Sequence, residues 1–145
     1  GGANEAFDVA AAMDLVRERG LPRPWLVGWS FGTELALKYG RDHDVEGVIL
    51  LSPPLHRATA EEVAAWAGEA RRMIVLVPEF DDYLRPDAAR ERFASVPDAT
   101  LIAVDGGKHL WVGETQTRRV LTEIVAAVNP DALPLPVEWD GPLAE

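Results

Sequence analysis

The sequence predicts an α/β fold, in which a parallel sheet of about four strands alternates with helices on both of its faces. Four short apolar runs rich in β-branched residues recur along the chain, at 25–29, 45–51, 73–77 and 100–104. Stretches with helical spacing of apolar residues lie between these runs. Strands and helices that alternate in this way form parallel sheets with right-handed crossovers.

The first two predicted helices each end at a glycine. Apolar residues recur at helical spacing over 6–16, and Gly20 with the prolines that follow it ends this helix. The run Trp25–Trp29 comes next and is typical of a strand that is buried on both faces. A second helix over Leu35–Tyr39 ends at Gly40, which suits the left-handed conformation of a helix stop.

The next two helices begin at recognisable caps. One helix runs from Thr59 or Ala60 to Arg72, and Thr59 with Glu62 has the form of a capping box. The other covers about 86–95, and a proline at its first position suits the first turn of a helix.

The last helix, over about 114–128, completes a predicted core domain at 1–128. Residues 129–145 form a Pro-rich, acidic tail that we expect to lie over the surface or to be disordered, with Trp139 as a point of attachment. The chain opens without a methionine and leads directly into a helical pattern. We therefore expect it to be a piece of a longer protein.

Composition and charge limit the class of partner. The 145 residues carry a net charge of −10, from 24 acidic and 14 basic side chains, which disfavours nucleic-acid phosphates and anionic membranes as partners. No run approaches the ~20 apolar residues of a membrane span, and we expect no signal peptide. The absence of cysteine excludes disulfides, thiolate metal ligands and a cysteine nucleophile, and it favours a cytoplasmic location.

Gly28-Trp29-Ser30-Phe31-Gly32 fits the pattern G-x-S-x-G. The bare pattern arises by chance in roughly one chain in twenty of this length, so its context decides. A predicted strand leads into the motif and a helix-forming segment follows it, so the motif lies at a sharp strand-to-helix turn. Such a turn exposes the serine Oγ, and it needs small residues where two chain segments pass close to each other. The backbone N–H of Phe31 would then face a developing oxyanion. The alternative is a glycine-rich turn in which Ser30 is a simple helix cap.

An activated serine requires a base, and three histidines are available. His43 lies in a charged loop on the far side of the sheet from Ser30, where we expect it to be solvated. His56 follows the second strand at its carboxyl end and could approach the site. His109 follows two glycines just past the fourth strand, and glycines permit a tight loop. Loop position and chain order favour His109 as the base.

The acid of such a site lies between the serine and the histidine in chain order. Asp81, in the turn after the third strand, is the first candidate, followed by Asp82 and then Glu79. A carboxylate there would hold the imidazole tautomer and stabilise imidazolium. The alternative is a turn in which aspartate bonds the local backbone. Because the carboxyl ends of parallel strands share one edge, we expect Ser30, Asp81 and His109 to lie together.

These residues resemble the α/β-hydrolase superfamily. The turn at 28–32, Asp81 after a strand, and the loop Gly107-Lys108-His109 are similar to its nucleophile elbow, acid and histidine loop. The resemblance covers 1–128 and is strongest to small members with little lid, of the dienelactone-hydrolase and serine-esterase type. Pro78 departs from the glycine that many members have before the acid, which puts the local turn in question.

The resemblance implies that the four strands are strands five to eight of an eight-stranded sheet. An N-terminal half, with a second oxyanion donor, is then expected upstream of Gly1. The first strand would otherwise be a bare edge able to pair with another chain, so an oligomer is an alternative.

The function that follows is a serine hydrolase that cleaves an ester or related acyl bond of a small substrate. Ser30 would attack, His109 would move the proton, Asp81 would orient His109, and the Phe31 N–H would hold the oxyanion. No metal or organic cofactor is implied. The alternatives are a non-catalytic protein of the same fold that binds a ligand or partner, and an acyltransferase. Three aromatic side chains would either contact a partly apolar substrate or belong to the core: Trp29, Phe31 and Trp111.

Overall fold

The computed structural model describes residues 4–138 and contains one sheet of four strands, all parallel. The strands follow one another across the sheet in chain order: β1 (Trp25–Trp29), β2 (Gly47–Leu51), β3 (Arg72–Pro78) and β4 (Thr100–Val104). Helices alternate with them: α1 (Glu5–Glu18), α2 (Phe31–Tyr39), α3 (Ala60–Ala64), α4 (Pro86–Arg92) and α5 (Glu114–Val128). The predicted α/β class is therefore confirmed.

The chain divides into two compact units. The first ends at Val112 and holds the whole sheet with α1–α4, and the second begins at Gly113 and holds α5 with the segment that follows it. A short 3₁₀ turn, Pro130–Ala132, lies in the second unit. In the part of the chain that the structure describes, no helix combines the length and the apolar composition needed to cross a membrane.

The core of the first unit lies on the sheet face that α2, α3 and α4 cover. In register, Val48 pairs with Met73 and Leu50 with Val75, so alternate residues of β2 and β3 point to this face. Burying each such side chain stabilises the fold by about 1.5–3 kcal/mol. The buried members of this core include Ala36, Leu37, Val48, Leu50, Val63, Met73, Val75, Val77, Ala89 and Phe93.

The first strand differs from its prediction. Val27 and Trp29 are 47% and 49% exposed, whereas β2 is buried along its whole length. Within residues 4–138, β1 pairs with β2 alone and is an edge strand. Side chains alternate between the two faces of a strand, so both exposed residues lie on one face of β1, which the described residues leave partly uncovered. The expectation of burial on both faces is therefore wrong for β1.

The end of α2 also differs. Gly40 has a φ of −60°, in the right-handed region, and the chain continues there into a 3₁₀ turn, Gly40–Asp42. A Cβ at this position would lie 3.2 Å from the Leu26 side chain and 3.3 Å from Trp66. The predicted left-handed stop is therefore wrong, and a side chain at this position would press on Leu26 and Trp66.

The third helix is much shorter than predicted. The capping box of Thr59 and Glu62 forms, but the helix ends at Ala64 instead of reaching Arg72. Trp66 turns inward, and its indole N–H donates to a carbonyl of α2 at 3.0 Å. Gly68 then adopts a φ of 74°. The tertiary contact of a large aromatic side chain interrupts a pattern that is locally helical.

The remaining boundaries are close to those predicted. β4 and α5 have the predicted bounds, α2 begins earlier, at Phe31, and α4 ends three residues early, at Arg92. Trp139 lies outside the described residues. The division into a core at 1–128 and a tail at 129–145 stays a prediction.

Candidate active site

Ser30 occupies the sharp turn between β1 and α2. Its φ of 50° and ψ of −119° are a conformation that L residues adopt rarely, at a cost of about 1–3 kcal/mol. The Ser30 N–H donates to the carbonyl of Leu51 at 2.9 Å, and the Ser30 carbonyl accepts from the hydroxyl of Thr33 at 2.6 Å. The strained turn is thus held from the neighbouring strand and from the helix that follows.

The two glycines of the motif have different surroundings. A Cβ on Gly28 would lie 2.4 Å from the carbonyl oxygen of Gly32, so strand and helix pass too closely there for any side chain. A Cβ on Gly32 would meet nothing within 4 Å. The expected need for a small residue is therefore confirmed for Gly28 and wrong for Gly32, since only the backbone of Gly32 takes part in the close approach.

The loop after β4 carries His109. Gly106 has a φ of 68°, and a Cβ on Gly107 would lie 3.0 Å from a backbone carbonyl of β4, so the tight loop requires both glycines. The backbone carbonyl of His109 accepts two hydrogen bonds, from the indole N–H of Trp29 at 3.1 Å and from the hydroxyl of Ser52 at 3.0 Å. These bonds fix the loop against the ends of the first two strands.

Asp81 lies in the turn after β3 and is 2% exposed. Its Oδ2 is 2.9 Å from Nδ1 of His109. Its Oδ1 accepts the backbone N–H groups of Tyr83 at 2.8 Å and Leu84 at 3.2 Å. Bonds to both oxygens hold the carboxylate in one orientation.

The other two candidate acids lie elsewhere in this turn. Asp82 is exposed, and Oε2 of Glu79 accepts the backbone N–H of Gly106 at 2.8 Å. The turn forms normally after Pro78, and the N–H of Glu79 donates to the carbonyl of Val104 at 3.0 Å. The proline thus does not prevent the turn, and Glu79 ties it to the histidine loop.

Ser30, His109 and Asp81 form one continuous line of hydrogen bonds. Oγ of Ser30 is 2.9 Å from Nε2 of His109, whose Nδ1 meets Asp81. In the tautomer that donates from Nδ1 to Asp81, Nε2 is the acceptor for the serine hydroxyl. The line starts after β1 and takes its other members from the turns after β3 and β4, all at the carboxyl edge of the sheet.

Phe31 is the first residue of α2. Its backbone N–H therefore has no intrahelical acceptor, and it lies at the positive end of the helix dipole beside Ser30. The arrangement suits a group that receives negative charge next to Oγ. The Arg57 guanidinium lies over the Phe31 ring, 5.0 Å from its centroid.

A cavity of about 200 Å³ opens beside Ser30. Its lining includes Phe31 and side chains from the loops after β2 and β3: Ser30, Phe31, Glu34, Pro54, His56, Arg57 and Tyr83. In residues 4–138, no group of three or more histidine, aspartate or glutamate side chains is arranged to hold a metal ion.

The structure separates the three histidines. Tyr83 lies between the rings of His56 and His109 and meets both edge to face, with centroids at 5.1 and 4.7 Å. His43 follows the far end of α2 from Ser30, and its carbonyl accepts from Arg71. His56 therefore lines the cavity with Tyr83 between its ring and that of His109, and His43 is not part of the cavity lining.

Four residues of the site were not predicted from the sequence as contributors. Ser52 and Trp29 bind the His109 carbonyl, Tyr83 packs on the imidazole, and Glu34 lies in the cavity wall. No local motif marks Ser52, Tyr83 or Glu34, and Trp29 was considered only as a substrate contact or core residue. Of the other two aromatic candidates, Trp111 is buried and Phe31 lines the cavity.

Comparison with known proteins gives matches among solved structures only, since no model of a protein family and no curated protein matches the chain. An α/β serine hydrolase homologue from Coxiella burnetii superposes with a TM-score of 0.73 at 21% identity, over 87% of this chain and 61% of that one. An α/β serine hydrolase without a lid, from Xanthomonas campestris, gives 0.65 at 20% identity, over 95% and 60%. This chain has the α/β-hydrolase fold.

A protein of unknown function from Agrobacterium tumefaciens shares this α/β-hydrolase fold, with a TM-score of 0.72 at 17% identity over 93% of this chain and 65% of that one. The chain thus spans 60–65% of the length of these three proteins. At such identities the likeness concerns the fold, and function has to be argued from the site itself.

Proposed function

We propose that this chain of α/β-hydrolase fold belongs to a serine hydrolase that cleaves an ester or related acyl bond of a small molecule through an acyl-enzyme. The observation that carries the proposal is the unbroken line from Ser30 Oγ through His109 to Asp81, with both connecting distances at 2.9 Å. Nucleophile and base are already within the reach that proton transfer requires.

In the first half of the reaction, Ser30 Oγ attacks the acyl carbon and its proton passes to Nε2 of His109. The resulting imidazolium is stabilised by Asp81, whose ionised carboxylate faces Nδ1. The carbonyl oxygen becomes an oxyanion beside the Phe31 N–H. When the tetrahedral intermediate collapses, the bond to the leaving alkoxide breaks and His109 returns the proton to it as an alcohol.

In the second half, water takes the place of the alcohol. His109 removes a proton from water, the hydroxide attacks the acyl carbon bound to Ser30, and a second oxyanion forms beside the Phe31 N–H. Collapse breaks the bond to Oγ, which recovers its proton from His109. The products are a carboxylic acid and an alcohol, and the side chains return to their starting state.

A second oxyanion donor from chain upstream of these residues is part of the proposal. Loss of one such donor typically lowers turnover ~10²–10³-fold, so one backbone N–H from Phe31 is not sufficient for full activity. Within residues 4–138, β1 pairs with β2 alone, and its open edge supports a neighbouring strand from that upstream chain. The shorter length of the chain relative to its structural matches supports it too.

The test is covalent labelling of the natural full-length protein with a fluorophosphonate, followed by mass-spectrometric mapping of the adduct. We expect modification at Ser30 that disappears in Ser30→Ala and falls sharply in His109→Ala. Ser95→Ala removes an exposed serine after α4 and should label fully. A folded protein without an adduct at Ser30 would replace the hydrolase proposal with the non-catalytic, ligand-binding alternative.

Labelling does not separate hydrolysis from acyl transfer, because both pass through the same acyl-enzyme. The partition of products from a turned-over ester at low concentrations of added alcohol distinguishes them: mainly free acid indicates water as the acceptor, and a new ester formed in preference to the acid, despite the excess of water, indicates an acyltransferase. The cytoplasmic location favoured by the lack of cysteine stays a prediction, as does oligomerisation through β1.

A further inference from the structure

The cavity beside Ser30 has an arginine in its lining that forms no ion pair. Arg57, in the loop after β2, is exposed to solvent and lines the cavity of about 200 Å³ together with Ser30. Within residues 4–138, no carboxylate lies within ion-pair distance of its guanidinium, although the protein carries 24 acidic side chains against 14 basic ones. The positive charge of Arg57 is therefore available to a group that enters the cavity from solvent.

An aromatic contact holds the guanidinium close to the nucleophile. Its central carbon lies over the Phe31 ring, 5.0 Å from the ring centroid, and Phe31 directly follows Ser30 and lines the same cavity. A cation over an aromatic ring is attracted to the negative face of the ring, and this attraction does not require any of the five N–H donors of the guanidinium. The donors of Arg57 thus stay available beside Ser30.

The loop that carries Arg57 is fixed on both sides of this residue. The backbone N–H of His56 donates to Oε1 of the buried Glu34 at 2.8 Å. Leu55 and Ala58 are both buried in the core of the first unit. A side chain that starts from a fixed backbone loses less conformational freedom when it binds a ligand, so the contacts of its neighbours prepare Arg57 for binding.

Glu34 is the one carboxylate in the described lining of this cavity, and it offers little contact to an entering group. The residue is only 2% exposed, Oε1 accepts the His56 N–H, and Oε2 has less than 1 Å² of exposed surface. Its negative charge offsets part of the attraction of Arg57 for an anion. The charged group of this lining that solvent reaches is nevertheless the guanidinium of Arg57.

On the basis of the proposed serine-hydrolase function, we propose that Arg57 selects ester substrates that carry a carboxylate close to the scissile bond. A planar guanidinium can donate two parallel hydrogen bonds to a carboxylate, and such charge-assisted bonds are about twice as strong as neutral ones. The small volume of the cavity fits a substituent of a few heavy atoms. A neutral ester of the same shape lacks the charge that Arg57 binds and is therefore the poorer substrate.

The experiment uses the natural full-length protein and matched alkyl esters that carry either a carboxylate or a carboxamide, which is neutral and nearly isosteric. One set has this group in the acyl chain and the other has it in the alcohol, so the two sets show which part of the substrate enters the cavity. In the wild-type protein, we expect kcat/KM for the carboxylate ester to exceed that for the carboxamide ester by about tenfold or more in one set. This ratio should decrease with added salt, because Arg57 is exposed.

The deciding variant is Arg57→Met, which keeps an unbranched side chain and removes the charge. We expect the ratio to fall by about tenfold or more, and a general loss of activity shared by both esters cancels in this ratio. Arg57→Lys keeps the charge without the planar pair of donors, so it should retain more of the ratio than Arg57→Met. Arg19→Met makes the same change in net charge at an exposed position just after α1, and it should keep the wild-type ratio.

The outcomes separate this inference from the function on which it rests. A wild-type protein that labels at Ser30 but shows a ratio near one in both ester sets would overturn the role of Arg57. An unchanged ratio in folded Arg57→Met, or an equal fall in Arg19→Met, would overturn it too. If Arg57→Met does not fold, the wild-type ratios and their dependence on salt decide. Absence of a Ser30 adduct in folded wild type overturns the hydrolase proposal itself.

Discussion

Trp29 donates its indole N–H to the backbone carbonyl of His109 across 3.1 Å, a contact between residues 80 positions apart in the chain. The residue that precedes Ser30 on β1 therefore holds the loop that carries its hydrogen-bond partner. Ser52, at the end of β2, binds the same carbonyl at 3.0 Å. The distance from Oγ of Ser30 to Nε2 of His109 depends on this loop, so both contacts bear on the geometry of the proposed nucleophile.

Trp29→Phe removes this donor and leaves an aromatic ring at the same place. A neutral hydrogen bond contributes about 1 kcal/mol, so we expect the rate of fluorophosphonate labelling at Ser30 to fall about three- to tenfold. Trp25→Phe makes the same change on the same strand, four residues away, where the ring instead packs under the guanidinium of Arg72. Equal labelling rates in the two variants would mean that the indole contact does not position His109.

The sequence was sufficient to predict that three residues lie together, because each has a local signal tied to a strand end. Ser30 has the elbow motif, Asp81 follows a buried strand, and His109 follows two glycines that the tight loop requires. Parallel strands bring such positions to one edge. The role of each residue in catalysis stays a prediction that the labelling experiment tests.

Contacts between distant segments have no such signal. The bond from Trp29 on β1 to the His109 carbonyl depends on how far the loop after β4 rises above the sheet, which no local pattern determines. From the sequence, Glu34 is an ordinary charged residue on a short helix and would be expected to be exposed, but the structure buries it. The early end of α3 was also not predictable from local sequence, because the inward packing of Trp66 against a distant segment overrides a helical pattern.

Asp81→Asn should nearly abolish activity without unfolding the protein. An asparagine oxygen at the Oδ1 position would still accept the N–H groups of Tyr83 and Leu84, which turns the NH₂ toward His109. Nδ1 must then act as an acceptor, so the proton moves to Nε2 and the imidazole cannot take the proton of Ser30. From the behaviour of other serine triads, we expect kcat to fall about 10³–10⁴-fold in ester hydrolysis.

The control for that variant is Asp82→Asn, which makes the same chemical change at the adjacent, exposed aspartate. It should retain wild-type kcat. Near-equal losses in the two variants would indicate that the turn as a whole, rather than the carboxylate of Asp81, matters for activity.

Gly28→Ala should be strongly destabilising, whereas Gly32→Ala should not be. The added Cβ at position 28 would lie 2.4 Å from the carbonyl oxygen of Gly32, which belongs to the backbone and cannot swing away. We expect a loss of about 3 kcal/mol or more in the free energy of unfolding, or failure to fold. At position 32 the Cβ meets nothing within 4 Å, and alanine in a helix is favoured over glycine by about 0.5–1 kcal/mol. Urea midpoints that fall equally in both variants would contradict this account of the elbow.

Glu69 forms ion pairs with Arg41 at 3.0 Å and Arg71 at 2.9 Å. Hydrogen bonds from Arg71 and then from Arg41 lower the pKa of the Glu69 carboxyl below its ordinary value of 4.5. The folded state therefore favours the ionised carboxylate, while the unfolded chain binds the proton more readily. The stability that Glu69 contributes is present above pH 4.5 and is lost as the pH falls through the lower pKa of the folded state.

Glu69→Gln should consequently lower the urea midpoint at pH 7, and its difference from wild type should shrink steadily as the pH is lowered below 4.5. The effect at pH 7 should be small and should decrease with added salt, because the pairs are partly exposed to solvent. Glu46→Gln changes an exposed carboxylate just before β2 and should match wild type across the range. At low pH, protonation of Glu69 removes the ion pairs from the wild-type protein, as the substitution does in the variant. A difference in urea midpoint that persists unchanged at low pH would therefore mean that the substitution acts through packing of the side chain and not through the ion pairs.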